Sequence, residues 1–552
     1  MRPANLYPTP SQFYTTLKYL LIVINTLFFL SACTNQKQQD QIFRLNIDTS
    51  VSSLDPAFAK DQANIWAVTQ VFEGLVQLDE NLKVRPCVAK SWSISTDGKK
   101  LSFSLRNDVY FHPNACFDKG KRKVVANDFV FSFERILDPK TASPGSWVFN
   151  HIVKEYNPFV AVNDSVFEIH LKKPFPPLLG ILSMPYCFVV PKEAVSFYGN
   201  NFRNNPVGSG PFYFAHWTEG VSLALKKNIL YFDKDSTGKS LPHLAGVEIK
   251  FSSNKESAML EFFQGKLDFV NGVDGTFKNE ILSKNGGLNE KYADRLNLVK
   301  FPYLNTEYLG FNQTAINKNP KLKALKNVNV RKALSFAIDR EKMLKYLRNN
   351  LGVSTVNGFI PLGLPGNRKR DSAVYNLIKA KALLAEAGYP NGSGFPELTL
   401  YTNPGYLDIS IFIQNQWKQL GIQSKLEVNS GSFHRQMVAN AELPIFRGSW
   451  LADYPDAENY LSLFYAANFS PAGPNYFHYA NDGFDSLYDK ALRLTETEEI
   501  IRTYQIMDEI ITNDCPVVVL FYDQAINLLS KRVQNFKANA MNIPKLKYCE
   551  IK

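Results

Sequence analysis

Short strands alternating with helices, on a chain too long for one core, predict an α/β protein of two or three lobes. Three observations carry that reading. Residues 398–428 run from LTLYT through a helix near ISIFIQNQWKQLG to SKLEV, the β-α-β rhythm of helices packed on a sheet. Residues 91–105, SWSISTDGKKLSFSL, read as a hairpin: Trp92 and Ile94 face one way, Asp97-Gly98 supply a positive-φ turn, and Leu101, Phe103 and Leu105 answer on the return. The 552 residues, 45% hydrophobic and 20% charged, have a globular composition but exceed a single simple core.

The elements follow in chain order. Arg2 and Lys18 are the only charges ahead of Tyr19–Leu30, an apolar run of 12 residues. Spanning a bilayer takes about 20, so residues 1–32 read as a signal peptide. Leu30-Ser31-Ala32-Cys33 resembles a bacterial lipobox, with small residues for the protease and a cysteine for acylation. On that reading Cys33 is the lipidated mature N-terminus, and residues 33–41 are a polar tether to the membrane. IFRLNI at 42–47 alternates like a strand, and SSLDPAFA after it is a turn entering a helix. SAMLEFF, Gly265 and KLDFV give a helix and strand in a different lobe from the 398–428 unit. The stretch beginning Asn329-VRKALSFAIDREKML predicts one helix, with apolar positions 330, 333, 334, 337 and 338 on a single face. A further helix near LIKAKALLAEAG stops at Gly388, with Pro390 just beyond.

Composition excludes several functions. The 62 basic and 51 acidic residues give a net charge of +11, or 11 − 2 = +9 without residues 1–32. The basic residues are scattered and no nucleic-acid module is recognisable, which argues against DNA or RNA as a partner. Cys87, Cys116, Cys187, Cys515 and Cys549 remain beside Cys33. An odd five allows at most two disulfides, and no C-x-x-C pair suggests thiol redox chemistry or a zinc site. The seven histidines show no i,i+4 pair, so no metal and no cofactor is expected. G-x-S-x-G, H-E-x-x-H and P-loop motifs are missing. Ser252-Ser-Asn-Lys255 matches S-x-x-K without its companions. Nothing nominates an enzyme.

RGSWLADYPD at 447–456 gathers an arginine, a tryptophan and a lone aspartate. On its own it reads as readily as a salt-bridged strand end as a site. Other blocks give it a context: SLDP (53–56), VFEGLVQLD (71–79), VAKSWSISTDGKKLSFSLRNDVYFH (88–112) and ANDFVFSFERILDPKTASP (126–144). They continue with NPVGSGPFYF (205–214), LGFNQT (309–314), VRKALSFAIDR (330–340), WLADYPDAENYLS (450–462) and FDSLYDKA (484–491). This ordered set resembles the extracytoplasmic solute-binding proteins of peptide ABC transporters, the oligopeptide- and dipeptide-binding family, and ILDPKTASP is similar to the oligopeptide branch.

The resemblance implies a two-lobed periplasmic-binding-protein-like fold of the type II class, with an extra subdomain and mixed sheets flanked by helices. It implies lobe I from 42–60, 200–303 and 525–552, the subdomain from 61–199, and lobe II from 304–524. The crossings fall near Phe301–Tyr308 and Phe521–Ile526, and the lobes close on ligand. The implied protein is a monomer in the bacterial cell envelope that captures peptides and passes them to the permease subunits of an ABC transporter. The fold also serves binders of metal chelates, haem, sugars and opines, and a sensory or chaperone-like use of the cleft is a different class of function.

A peptide offers an ammonium, a backbone and a carboxylate. The family's pattern gives the ammonium to Asp453 and points Arg447 at the carboxylate. It offers the extended edges of Ser50, Val51 and Ser52, and of Gly448, Ser449 and Trp450, to the backbone. Phe131 and Tyr522 stand where family aromatics line the cleft.

Overall fold

A computed structural model describes residues 41–118, 120–150, 152–273, 275–355, 358–368 and 374–552. The signal peptide, Cys33 and all of the tether but Gln41 lie outside the described residues.

Ten strands form one continuous sheet. Their order is Ser424–Val428, Leu398–Thr402, Ile445–Leu451, Leu296–Phe311, Val517–Ser530, Phe269–Asn271, Ile42–Ile47, Gly246–Phe251, Ser222–Lys227 and Phe212–Thr218. The two long central strands, of 16 and 14 residues, join the halves. They run antiparallel from Leu296↔Ser530 to Pro302↔Gln524, lose register, and resume from Thr306↔Tyr522 to Gly310↔Val517. Pro302 has no N–H to give the ladder, which suits it to the break. Residues 301–308 and 521–526 therefore lie side by side at the irregular centre of the sheet.

On one side of the break, Ile42–Ile47 pairs parallel with Gly246–Phe251, and its alternation buries Phe43, Leu45 and Ile47. The hairpin forms as expected, and its register sets Trp92 opposite Phe103 and Ile94 opposite Leu101. It belongs to a separate four-stranded antiparallel sheet, Ala89–Ile94, Lys100–Leu105, Val166–His170 and Phe159–Asn163. One apolar core joins this sheet to the main one: Phe103, Phe133 and Phe167 belong to the same cluster as Phe43 and Val247.

Beyond the break, two cores cover opposite faces of the sheet, because side chains alternate along each strand. Ile445 and Leu309 enter one core, Phe446 and Tyr308 the other. The 398–428 unit forms as expected, its strands pairing parallel from Leu398↔Ser424 to Thr402↔Val428 across the helix Leu407–Lys418. The stretch from Asn329 differs from expectation: it forms two helices, Val328–Phe336 and Arg340–Leu347. Asp339 makes the break by accepting from the Lys342 amide at 3.0 Å, an N-cap placed inside a run of apolar periodicity. All five described cysteines are free thiols, so neither allowed disulfide is present among the described residues.

Candidate functional site

The strand Ile445–Leu451 positions the site. One edge pairs with the long strand from Ile445↔Phe311 to Leu451↔Asn305. The other edge pairs only at Phe446↔Tyr401, and the Arg447 carbonyl meets His434 Nε2 at 2.8 Å. From Gly448 to Leu451 that edge has no strand partner among the described residues. Gly448 is required here by packing. A Cβ would lie 2.6 Å from the Tyr308 ring, which lies against the strand.

Two residues past the strand stands Asp453. The Asn459 amide donates to its Oδ2 at 3.3 Å, while Asn459 Oδ1 accepts from the Asp453 N–H at 3.1 Å and the Trp450 indole at 2.9 Å. One asparagine at the start of the short helix Glu458–Leu461 thus fixes both the aspartate and the ring. Asp453 has no cationic partner among the described residues. Its side chain is open to water yet surrounded by protein, and desolvation raises its carboxyl against the Asn459 bond. It is not the salt-bridged strand end that its sequence alone allowed.

Below it lies a buried acid. Glu458 accepts from the Tyr454 and Tyr488 hydroxyls, and burial lifts its carboxyl to about 7, with Asp456 and Asp453 adding to the rise. Asp456, between them in sequence, is lifted by burial to about 6.

Several expected residues stand differently. Arg447 is buried, ion-paired with Glu307, and its guanidinium lies 3.0 Å from the Tyr406 ring centroid. Glu307 is itself 2% exposed, so the pair is sealed within the protein rather than offered to a ligand carboxylate. Its neighbour Arg348, 5.5 Å from the same ring, keeps a buried Nε without an acceptor among the described residues. Tyr522 is 1% exposed. Its hydroxyl donates to the Gly358 carbonyl at 2.8 Å and accepts from the Gly358 N–H at 3.1 Å, so it does not line a cleft.

Of the segment Ser50–Ser52, Ser52 has its backbone engaged: its N–H donates to Asn64 at 3.0 Å and its carbonyl accepts from Arg203 at 3.2 Å. Val51 buries its side chain and Ser50 is exposed. Phe131 is half-buried against the N-terminal core from the helix Ala126–Leu137. Trp450 is half-buried with its ring 6.4 Å from Tyr476, and Ser449 is exposed. Asn459 and Glu307 escaped sequence reading. The one signal for Asn459 was a polar residue heading the apolar run Tyr-Leu-Ser-Leu-Phe.

No group of three or more metal-binding side chains occurs among the described residues. An open strand edge beside an unneutralised carboxylate, on a mixed α/β scaffold, suits the binding of an extended solute. The profile of the bacterial extracellular solute-binding proteins, family 5, middle region, matches residues 83–471, more than half the chain, and the chain belongs to that family. It is 25% identical over 499 residues to the glutathione-binding protein GsiB of Salmonella choleraesuis strain SC-B67, covering 89% of this chain and 90% of that protein. HbpA2 from Haemophilus parasuis superposes with a TM-score of 0.79 at 25% identity, over 93% of this chain and 100% of that one. The periplasmic binding protein DppA from Helicobacter pylori, solved with the peptide STSA, superposes with a TM-score of 0.72 at 26% identity, over 93% and 99%. By its family the chain is an extracellular solute-binding protein, not an enzyme.

Proposed function

We propose that the solute is a short peptide or peptide-like molecule with a free α-ammonium, held by Asp453 and delivered to an ABC permease. The observation that carries this reading is the Asp453 carboxylate, raised by desolvation and facing no cation among the described residues. A ligand ammonium supplies the missing charge. The open edge at Gly448–Leu451 lies two residues away, where an extended backbone adds as a strand. The names of GsiB and of the STSA complex, glutathione and a peptide, point the same way. The lobes proposed for 42–60, 200–303 and 525–552 on one side and 304–524 on the other close about the ladder break. Cys33 anchors the protein to the membrane by lipid.

Native mass spectrometry of the purified protein tests this reading, because a closed cleft retains its ligand. A released molecule with a free α-amino group is the expected result. Release of a bile acid, haem, sugar or opine overturns it.

A further inference from the structure

The wall that packs against the Asp453 segment carries acceptors of its own. Tyr186, in the single turn Pro185–Cys187, packs its ring flat on Gly145, where a Cβ would fall 2.3 Å from Cδ1, so only glycine admits it. The Gly145 turn is pinned in place: Ser143 Oγ donates to the Ala57 carbonyl at 2.6 Å and accepts from the Gly145 N–H at 3.0 Å. This wall meets the Asp453 segment directly. The Trp147 ring lies 6.1 Å from Tyr454, and a Cβ on Gly180 would lie 3.6 Å from Pro455.

The Tyr186 ring is buried, yet its hydroxyl makes no hydrogen bond among the described residues. Burial raises its phenol to about 12, and the negative charges of Asp453 and Asp61 add to that. The Tyr186 turn packs against the helix Gln62–Val71 that Asp61 heads, and through Gly145 and Trp147 it adjoins the Asp453 segment. Asp61 uses Oδ1 to cap the helix Gln62–Val71 through the Asn64 N–H at 3.0 Å. Its other oxygen makes no hydrogen bond among the described residues.

We propose that the ligand's ammonium is gripped from both walls of the cleft, by Asp453 on one and by the Tyr186 hydroxyl backed by Asp61 on the other. This rests on the reading of Asp453 as the ammonium's partner. An ammonium has three donors and no acceptor. With Asn459 already on one Asp453 oxygen, a single carboxylate leaves donors to be met elsewhere, and the Tyr186 oxygen meets one. Because the two acceptors stand on different walls, the cation bridges them. Closure is then tied to the presence of a charged amino terminus.

The test is retention of an equimolar library of di- to pentapeptides, free and N-acetylated, read by mass spectrometry on four proteins: wild type, Tyr186→Phe, Asp61→Asn and Asp453→Asn. Tyr186→Phe keeps the ring, and Asp61→Asn keeps a cap-competent side chain. The expected result is a roughly ten- to hundred-fold loss for free peptides in Tyr186→Phe, as for a hydrogen bond to a charge, with acetylated peptides unaffected. Asp61→Asn narrows the free-to-acetylated ratio by a smaller factor, roughly three- to tenfold. If Tyr186→Phe leaves that ratio at the wild-type value while Asp453→Asn collapses it, the second grip is refuted and the Asp453 reading stands. If Asp453→Asn also leaves the ratio unchanged, or wild type retains no free peptide, the Asp453 reading falls and this inference with it.

Discussion

Replacing Glu307 with glutamine removes one charge from a pair buried within the protein. The Arg447 and Glu307 side chains are 6% and 3% exposed, so neither ion is screened by water. At about 4 Å and an effective dielectric of about 20, their attraction is about 4 kcal/mol, before the desolvation both ions have undergone. Removing one partner leaves the other buried and uncompensated, at a cost of about 3–5 kcal/mol. The Tyr406 ring still faces the guanidinium and returns about 1 kcal/mol of that. Glu307→Gln therefore lowers stability by about 3 kcal/mol, as does Arg447→Met by stranding Glu307. The double variant Glu307→Met/Arg447→Met, with no buried ion left in the pair, falls within about 1 kcal/mol of wild type. Urea unfolding followed by tryptophan fluorescence measures all three. Single costs under 1 kcal/mol that sum to the double would refute a structural pair. Arg447 would then be free to take a ligand carboxylate, and C-terminal amidation of peptides would weaken binding to wild type but not to Arg447→Met.

Three further outcomes follow from the site and the N-terminus. Asn459→Ala frees both Asp453 and the Trp450 indole, and lowers peptide affinity about tenfold with little change in melting temperature, measured by calorimetry and thermal unfolding. Burial raises Glu458 from 4.5 to about 7, so the folded state holds a proton there that the unfolded state gives up. Its stabilising contribution is complete below about pH 4.5 and is lost as pH rises to about 7, an effect of up to about 3 kcal/mol that Glu458→Gln flattens in stability–pH curves. Cys33→Ser abolishes acylation and lipoprotein-type cleavage; unchanged mass and continued partition into detergent would show that Cys33 carries no lipid.

Local pattern was legible where one residue's environment depended on near neighbours. The strand at 42–47 and the 398–428 unit follow from alternation and helical spacing alone. The helix break at Asp339 was misread because the apolar period runs through it. The cap signal, an aspartate just ahead of Arg-Glu-Lys, was present but outweighed. The long central ladder was not legible, since Leu296 finds Ser530 only in three dimensions. The same holds at the site. Asp453 and the strand before it came from resemblance, whereas Arg447 was misassigned because its partner Glu307 is 140 residues away in sequence. Tyr522 was misassigned because the Gly358 backbone that takes its hydroxyl is 164 residues away in sequence.

The central claim is that Asp453 binds the ligand's ammonium, and calorimetry of free and N-acetylated forms of one bound peptide, on wild type and Asp453→Ala, tests it most directly. A buried charge left unpaired costs roughly 3–5 kcal/mol, a loss of about a hundred- to several thousand-fold in affinity. Either change alone should cause that loss, and the two together little more, because each removes the same interaction. Desolvation raises Asp453, so wild-type affinity for the free peptide also falls as pH drops through that raised value. Equal binding of free and acetylated peptide by wild type would contradict the claim.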